Sequence, residues 1–182
     1  MESVCSKFLL NLFQNNNMDT ASYLAKFQKA ADQLDQKLLR EKEIEAAVGV
    51  VIDSVFLKLY KKSWASEEQD PLTAKSRIFF SIWVNDDIIE EQKIYYNIHA
   101  FKLRHLKGYA IQSRQFADAF RADFKVFEQQ WSNVSVKFGP LTLMEGWVKP
   151  DQNNLQHEVL SLANNFLEIE HLVDDTLLKF KK

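Results

Sequence analysis

The sequence predicts an α+β fold: an antiparallel β-sheet covered by α-helices, with an N-terminal helical arm or helical hairpin. Three observations lead there. Apolar residues recur first at helical spacing, then in short runs rich in aromatic and β-branched residues, then at helical spacing again. The helical and strand-like segments are grouped and do not alternate one by one, which argues against a parallel sheet. Only four Gly and three Pro occur in 182 residues, too few turn formers for a many-stranded sandwich.

Asp19 or Thr20 can cap a first helix with apolar positions Leu24, Phe27, Ala31, Leu34 and Leu38, a heptad seam of under three heptads. The charged run REKEIE, residues 40–45, interrupts this stripe, which resumes at Ile44, Val48, Val51, Val55 and Leu59. No Gly or Pro forces a break near residue 41, so residues 20–62 are expected to form one long helix or a hairpin turning near Arg40–Lys42. A polar linker containing Pro71 follows over residues 63–76. The runs RIFFSIWVN and KIYYNIHAFKL then read as antiparallel strands joined by the polar loop DDIIEEQ.

Ser113 opens a new helical period, in which Phe116, Phe120, Phe124, Phe127 and Trp131 fall within about 40° of one line at roughly 100° per residue. Residues 133–148 return to strand character, with a bend at Gly139–Pro140. Pro150 and Asp151 announce a last helix, whose stripe Leu155, Val159, Leu162, Phe166, Ile169, Val173, Leu177 and Phe180 reads as unbroken. One domain is therefore expected over residues 18–182, helical over 18–63 and sheet plus two helices over 76–182. A weakly ordered extension over residues 1–17 precedes it, and the helix start just after Met18 makes Met18, beside Met1, a candidate native start.

Composition narrows the function classes. A formal charge of −2 removes any bulk attraction for nucleic acid, so a basic surface must be local. The single cysteine, Cys5, rules out an intramolecular disulfide and Cys-rich zinc patterns, and fits a cytoplasmic protein. No run approaches the roughly 20 apolar residues of a membrane span, so no membrane partner is expected. The 14 Phe and four Trp call for aromatic packing in the core.

Candidate chemistry is sparse. Glu168 and His171 have the Glu-x-x-His spacing of di-iron sites, extended by Asp175, but all three lie at about 140–200° from the apolar stripe of their helix, pointing to solvent. His99 and His105, six residues apart, would lie about 20 Å apart on one strand, too far for one metal. No nucleophile elbow, phosphate loop, dinucleotide fingerprint or HExxH is present, so neither a metal nor a cofactor is called for. Glu145, between Met144 and Trp147, is the first residue to consider if the protein is an enzyme with a site assembled from scattered residues.

Charge asymmetry carries the remaining signal. Residues 93–125 hold seven Lys/Arg and two Asp, whereas residues 151–178 hold six Asp/Glu and no Lys/Arg. The basic segment is expected to face the acidic last helix, an anion or, least of all, nucleic acid through the interleaved Tyr95, Tyr96 and Tyr109. Arg114, Arg121 and Lys125 have acidic neighbours at helical spacing. Lys102, Arg104, His105 and Lys107 have none, and lie beside the expected helix start at Ser113. The expectation is a non-catalytic binding or interaction protein that contacts an anionic small molecule or an acidic protein surface through residues 102–109, with Lys102, Arg104, His105, Lys107, Tyr109 and Arg114 as contacts. A self-association module is the further alternative, with the seam of residues 24–38 joining a homodimer.

Overall fold

The computed structural model describes residues 19–150 and 154–182. The expectations for residues 1–17, for Met18 and for Asp151 lie outside the described residues. Five strands, β1 (Glu45–Val51), β2 (Ser54–Tyr60), β3 (Arg77–Val84), β4 (Ile94–Phe101) and β5 (Thr142–Val148), pair antiparallel in sequence order. The expected α+β fold and the antiparallel pairing of the two aromatic runs are both present.

The N-terminal helical region is shorter than expected. Helix α1 (Thr20–Asp32) is capped by the Asp19 carboxylate, which accepts from Ser22 N, and α2 (Gln36–Glu41) by Asp35, which accepts from Lys37 N and Leu38 N. Residues 45–60, expected to be helical, instead form the β1–β2 hairpin. Val55, Leu57 and Leu59 are fully buried at a strict period of two, the signature of a strand with one face on the core. Ile52 makes the turn with a φ of 57°, a left-handed conformation that no helix allows. The heptad seam is spent inside the chain. Phe27, Ala31 and Leu34 are buried, and Leu24 and Leu38 pack on the same core.

A short helix α3 (Asp86–Glu90), capped by Asn85, makes the β3–β4 connection that reads as a plain loop in the sequence. Helix α4 (Ser113–Phe124) buries Phe116, Phe120 and Phe124 as expected, but Gln112 holds its cap position and makes no side-chain cap bond. The last stripe is not one helix. It breaks at Glu170 into α5 (Leu155–Ile169) and α6 (His171–Leu178). Glu170 is 4% exposed and takes ion pairs from Lys42 Nζ at 2.9 Å and Lys61 Nζ at 2.7 Å. Lys61 also reaches Asp174 at 2.5 Å, and the indole of the fully buried Trp64 donates to Asp174 at 2.6 Å. Burial alone would lower the Lys61 pKa, yet the hydrogen bonds it donates to Asp174 and Glu170, with their charges, outweigh burial and hold it raised. The last helices thus pair Glu170 and Asp174 with lysines of the N-terminal half, while α4 of the basic segment packs against α6 without an ion pair to these two carboxylates.

The helices cover one face of the sheet. Ile78, Phe80, Ile82, Tyr96, Ile98 and Met144 point into this layer, all 1% exposed or less. Phe80 stacks on Phe166 of α5 with ring centres 4.5 Å apart and planes 3° from parallel. Arg121 of α4 ties the layer to β5: its guanidinium donates to the carbonyls of Phe138, Gly139, Thr142 and Leu143 at 2.9–3.1 Å. Its ion pair with Asp118 is longer, at 3.9 Å.

Candidate functional site on the uncovered sheet face

Strand alternation sends every second side chain to the face opposite the helices, and the register arranges these side chains in rows. Gly49, Phe56, Trp83, Tyr95 and Trp147 are cross-strand partners in turn, forming an aromatic row. Two residues further along each strand, Ala47, Lys58, Ser81, Asn97 and Glu145 form a polar row across all five strands. The next rows hold the Phe79–His99 pair and the Arg77–Phe101 pair. Among the described residues no helix packs on this face, which contains an open cavity of about 350 Å³.

Two cations dominate the cavity. Lys58 Nζ lies 4.3 Å from the ring centre of Phe56 and 4.7 Å from that of Phe79. The Arg77 guanidinium lies 4.9 Å from Phe101 and 5.9 Å from Phe79. Neither has a carboxylate at ion-pair distance among the described residues. Arg77 spends one nitrogen on the Ala74 carbonyl, and its Nε is buried without a partner. Burial lowers the pKa of both groups, and the Arg77 charge lowers that of Lys58 further.

Neutral polar groups complete the site. Asn97 is 2% exposed; its amide nitrogen donates to Glu145 Oε2 at 3.1 Å, while its Oδ1 is buried without a donor. A satisfied interior leaves few such atoms. His99 packs between Phe79 and Phe101, with ring centres 5.4 and 5.1 Å away, and its Nδ1 lies 3.4 Å from the Leu141 carbonyl and from Thr142 Oγ1. Burial lowers its pKa, as do the charges of Lys58 and Arg77, against the Leu141 carbonyl and Glu145. Such a site offers an anion two desolvated cations and offers its neighbouring donor one free acceptor.

The sequence-selected residues lie at the edge of this face. Lys102 follows Phe101 directly and turns the chain out of the sheet with a φ of 47°. Lys102, Arg104, His105, Lys107 and Arg114 are exposed, while Leu103 and Leu106 between them are buried. The basic cluster is real in space. Slight desolvation and the charges of Lys75, Arg104 and Lys102 lower the His105 pKa, and Arg104 Nε donates to His105 Nε2 at 3.2 Å. Lys107 and Tyr109, however, line a separate cavity with Glu67, Glu68 and Asp70, a surface that repels anions. Tyr109 pairs with Lys181 as an isolated bridge that fastens the C-terminus. Arg114 makes no ion pair with Asp118. Glu168, His171 and Asp175 are exposed as expected. Glu145 is half-buried at the cavity rim, and the hydrogen bond from Asn97 is its only side-chain contact of that kind among the described residues.

Sequence reasoning missed Lys58, Arg77 and Asn97. The alternation in SVFLKLY carried the signal for Lys58, and the opposed rows of RIFFSIWV and IYYNIHAF carried it for Arg77 and Asn97. No group of three or more His, Cys, Asp or Glu that could hold a metal occurs among the described residues. Fold and site together define an antiparallel meander with helices on one face and an aromatic, cation-bearing surface on the other. Set against protein-family models, curated proteins and solved structures, the chain matches none of them.

Proposed function

We propose that this chain is a binding protein that holds a small anionic ligand on its uncovered sheet face, between Lys58 and Arg77. The observation that carries this reading is the pair of half-buried cations flanking Phe79 with no carboxylate at ion-pair distance among the described residues. Charge held partly out of water without a partner costs stability, and groups perturbed in this way cluster at functional sites. The site therefore moves from the 102–109 turn to the sheet that this turn leaves. Lys75, Lys102 and Arg104 extend the positive field at its rim and act on the rate of encounter more than on affinity. A cavity of this size suits a small molecule better than an acidic protein surface.

Calorimetric titration with inorganic phosphate and pyrophosphate tests the reading, using the wild type, Lys58→Gln and Arg77→Gln at two salt concentrations. Saturable binding, weakened about tenfold or more in each variant, is expected from the loss of one charged hydrogen bond. No binding, or binding that the variants leave unchanged, would overturn it.

A further inference from the structure

The aromatic row adds a second requirement for the ligand. Phe56, Trp83 and Tyr95 line or flank the same face as Lys58 and are half-buried, with the Trp83 and Tyr95 ring centres 5.4 Å apart. Along each strand this row lies two residues from the polar row, about 6.6 Å at 3.3 Å per residue. Lys58 Nζ lies 4.3 Å from Phe56 of this row, but the Arg77 guanidinium lies by Phe79 and Phe101, two and three rows beyond Trp83 and Tyr95, so a ring stacked on that pair and bearing its acid group directly does not place the acid between both cations. A ring and an anion separated by a spacer reach both the pair and the cations, and the spacer then passes over the Ser81–Asn97 pair of the polar row. Asp53, at the hairpin tip, lines the same cavity on the side of the aromatic row, where it disfavours a second anionic group and accepts from hydroxyls.

We infer that the ligand is a nucleoside monophosphate, with its base against the Trp83–Tyr95 pair, its sugar over the polar row at Ser81 and Asn97, and its phosphate between Lys58 and Arg77. This inference rests on the anion-binding reading above. The net charge of −2 and the limited cavity favour a free nucleotide over a nucleic acid strand. Base stacking on an aromatic side chain strengthens binding by about ten- to a hundredfold per base.

The test compares AMP, CMP, ribose 5-phosphate, inorganic phosphate and a six-nucleotide RNA strand by calorimetry and tryptophan fluorescence. AMP or CMP is expected to bind at least about tenfold more tightly than ribose 5-phosphate and to quench tryptophan emission. Trp83→Leu and Tyr95→Leu, with melting curves like the wild type, are expected to erase that advantage while keeping the affinity for inorganic phosphate. The ligand comparison on the wild type needs no variant to fold. If phosphate binds but nucleotides gain nothing over ribose 5-phosphate, the nucleotide inference falls and the anion reading stands. If no anion binds, both fall. Much tighter binding of the RNA strand than of either mononucleotide would overturn the free nucleotide as ligand.

Discussion

Lys58 and Arg77 flank a single ring: the Lys58 nitrogen lies 4.7 Å, and the Arg77 guanidinium carbon 5.9 Å, from the centre of Phe79. They come from adjacent strands, and both lean along the sheet toward each other. Attraction to the ring offsets part of their mutual repulsion, and no carboxylate among the described residues lies at ion-pair distance of either. Lys58→Met is therefore expected to keep the unfolding free energy within about 1 kcal/mol of wild type, because a lost cation–π contact trades against a relieved charge. Urea denaturation measures this. A loss of about 3 kcal/mol would make Lys58 a structural residue instead.

His99 links stability to pH. Its pKa is lowered from the ordinary 6.5 by burial first, then by Lys58 and Arg77, while the Leu141 carbonyl and Glu145 oppose the shift. The unfolded chain therefore binds the proton more readily than the folded chain. Stability from this group is complete above about pH 6.5 and is lost as the pH falls below that value. Urea midpoints at about pH 7.5 and pH 5 should differ less in His99→Gln than in the wild type. An equal or larger difference would show that the His99 ring takes up its proton without cost.

Gly146 faces Tyr96 across β4 and β5. A Cβ at this position would overlap the Tyr96 hydroxyl, which donates to the Ser132 carbonyl at 2.6 Å, and would stand 3.0 Å from Val134 Cα. Gly146→Ala should cost about 1–3 kcal/mol, and adding Tyr96→Phe should recover part of that loss. Gly139→Ala is the control: its Cβ meets nothing within 4 Å, and stability should change by less than about 0.5 kcal/mol. Equal effects at the two glycines would contradict the register of β5.

Lys61 sits between two carboxylates with 8% of its side chain exposed. Lys61→Met leaves Glu170 with Lys42 alone and Asp174 with the Trp64 indole, and should cost about 3–5 kcal/mol. The double variant Lys61→Met/Glu170→Leu should be more stable than the single one, since the buried Glu170 charge is gone and Lys42, which it leaves unpaired, keeps 28% of its side chain exposed. Chemical denaturation of the cycle checks both; a cost under about 1 kcal/mol would mean that the break at Glu170 does not depend on this network.

The features legible in the sequence are those set by neighbours a few residues apart. The Phe116–Phe120–Phe124 row, the two aromatic strands and the Phe27–Leu34 seam all bury the faces their periodicity marks. Residues 45–60 read as helical because Val48, Val51, Val55 and Leu59 satisfy a helical stripe, although Val55, Leu57 and Leu59 equally satisfy the strand that forms. Gly49 and the left-handed Ile52 turn decide the matter, and neither has a period. At the break, Glu170 accepts from Lys42, 128 residues away in sequence. The site depends on register: Lys58, Arg77 and Asn97 belong to three strands and become neighbours only when those strands pair. The exposed basic turn at Lys102–Lys107 was readable locally, but the acidic residues Glu67, Glu68 and Asp70 that meet Lys107 and Tyr109 were not.

The most direct test of the central claim is amide chemical-shift mapping during titration with inorganic phosphate and then AMP. The account predicts that the largest changes fall on the strand amides around Lys58, Arg77, Asn97 and His99, with AMP adding changes around Trp83 and Tyr95. Changes confined to residues 102–114, or none at saturating ligand, would contradict it.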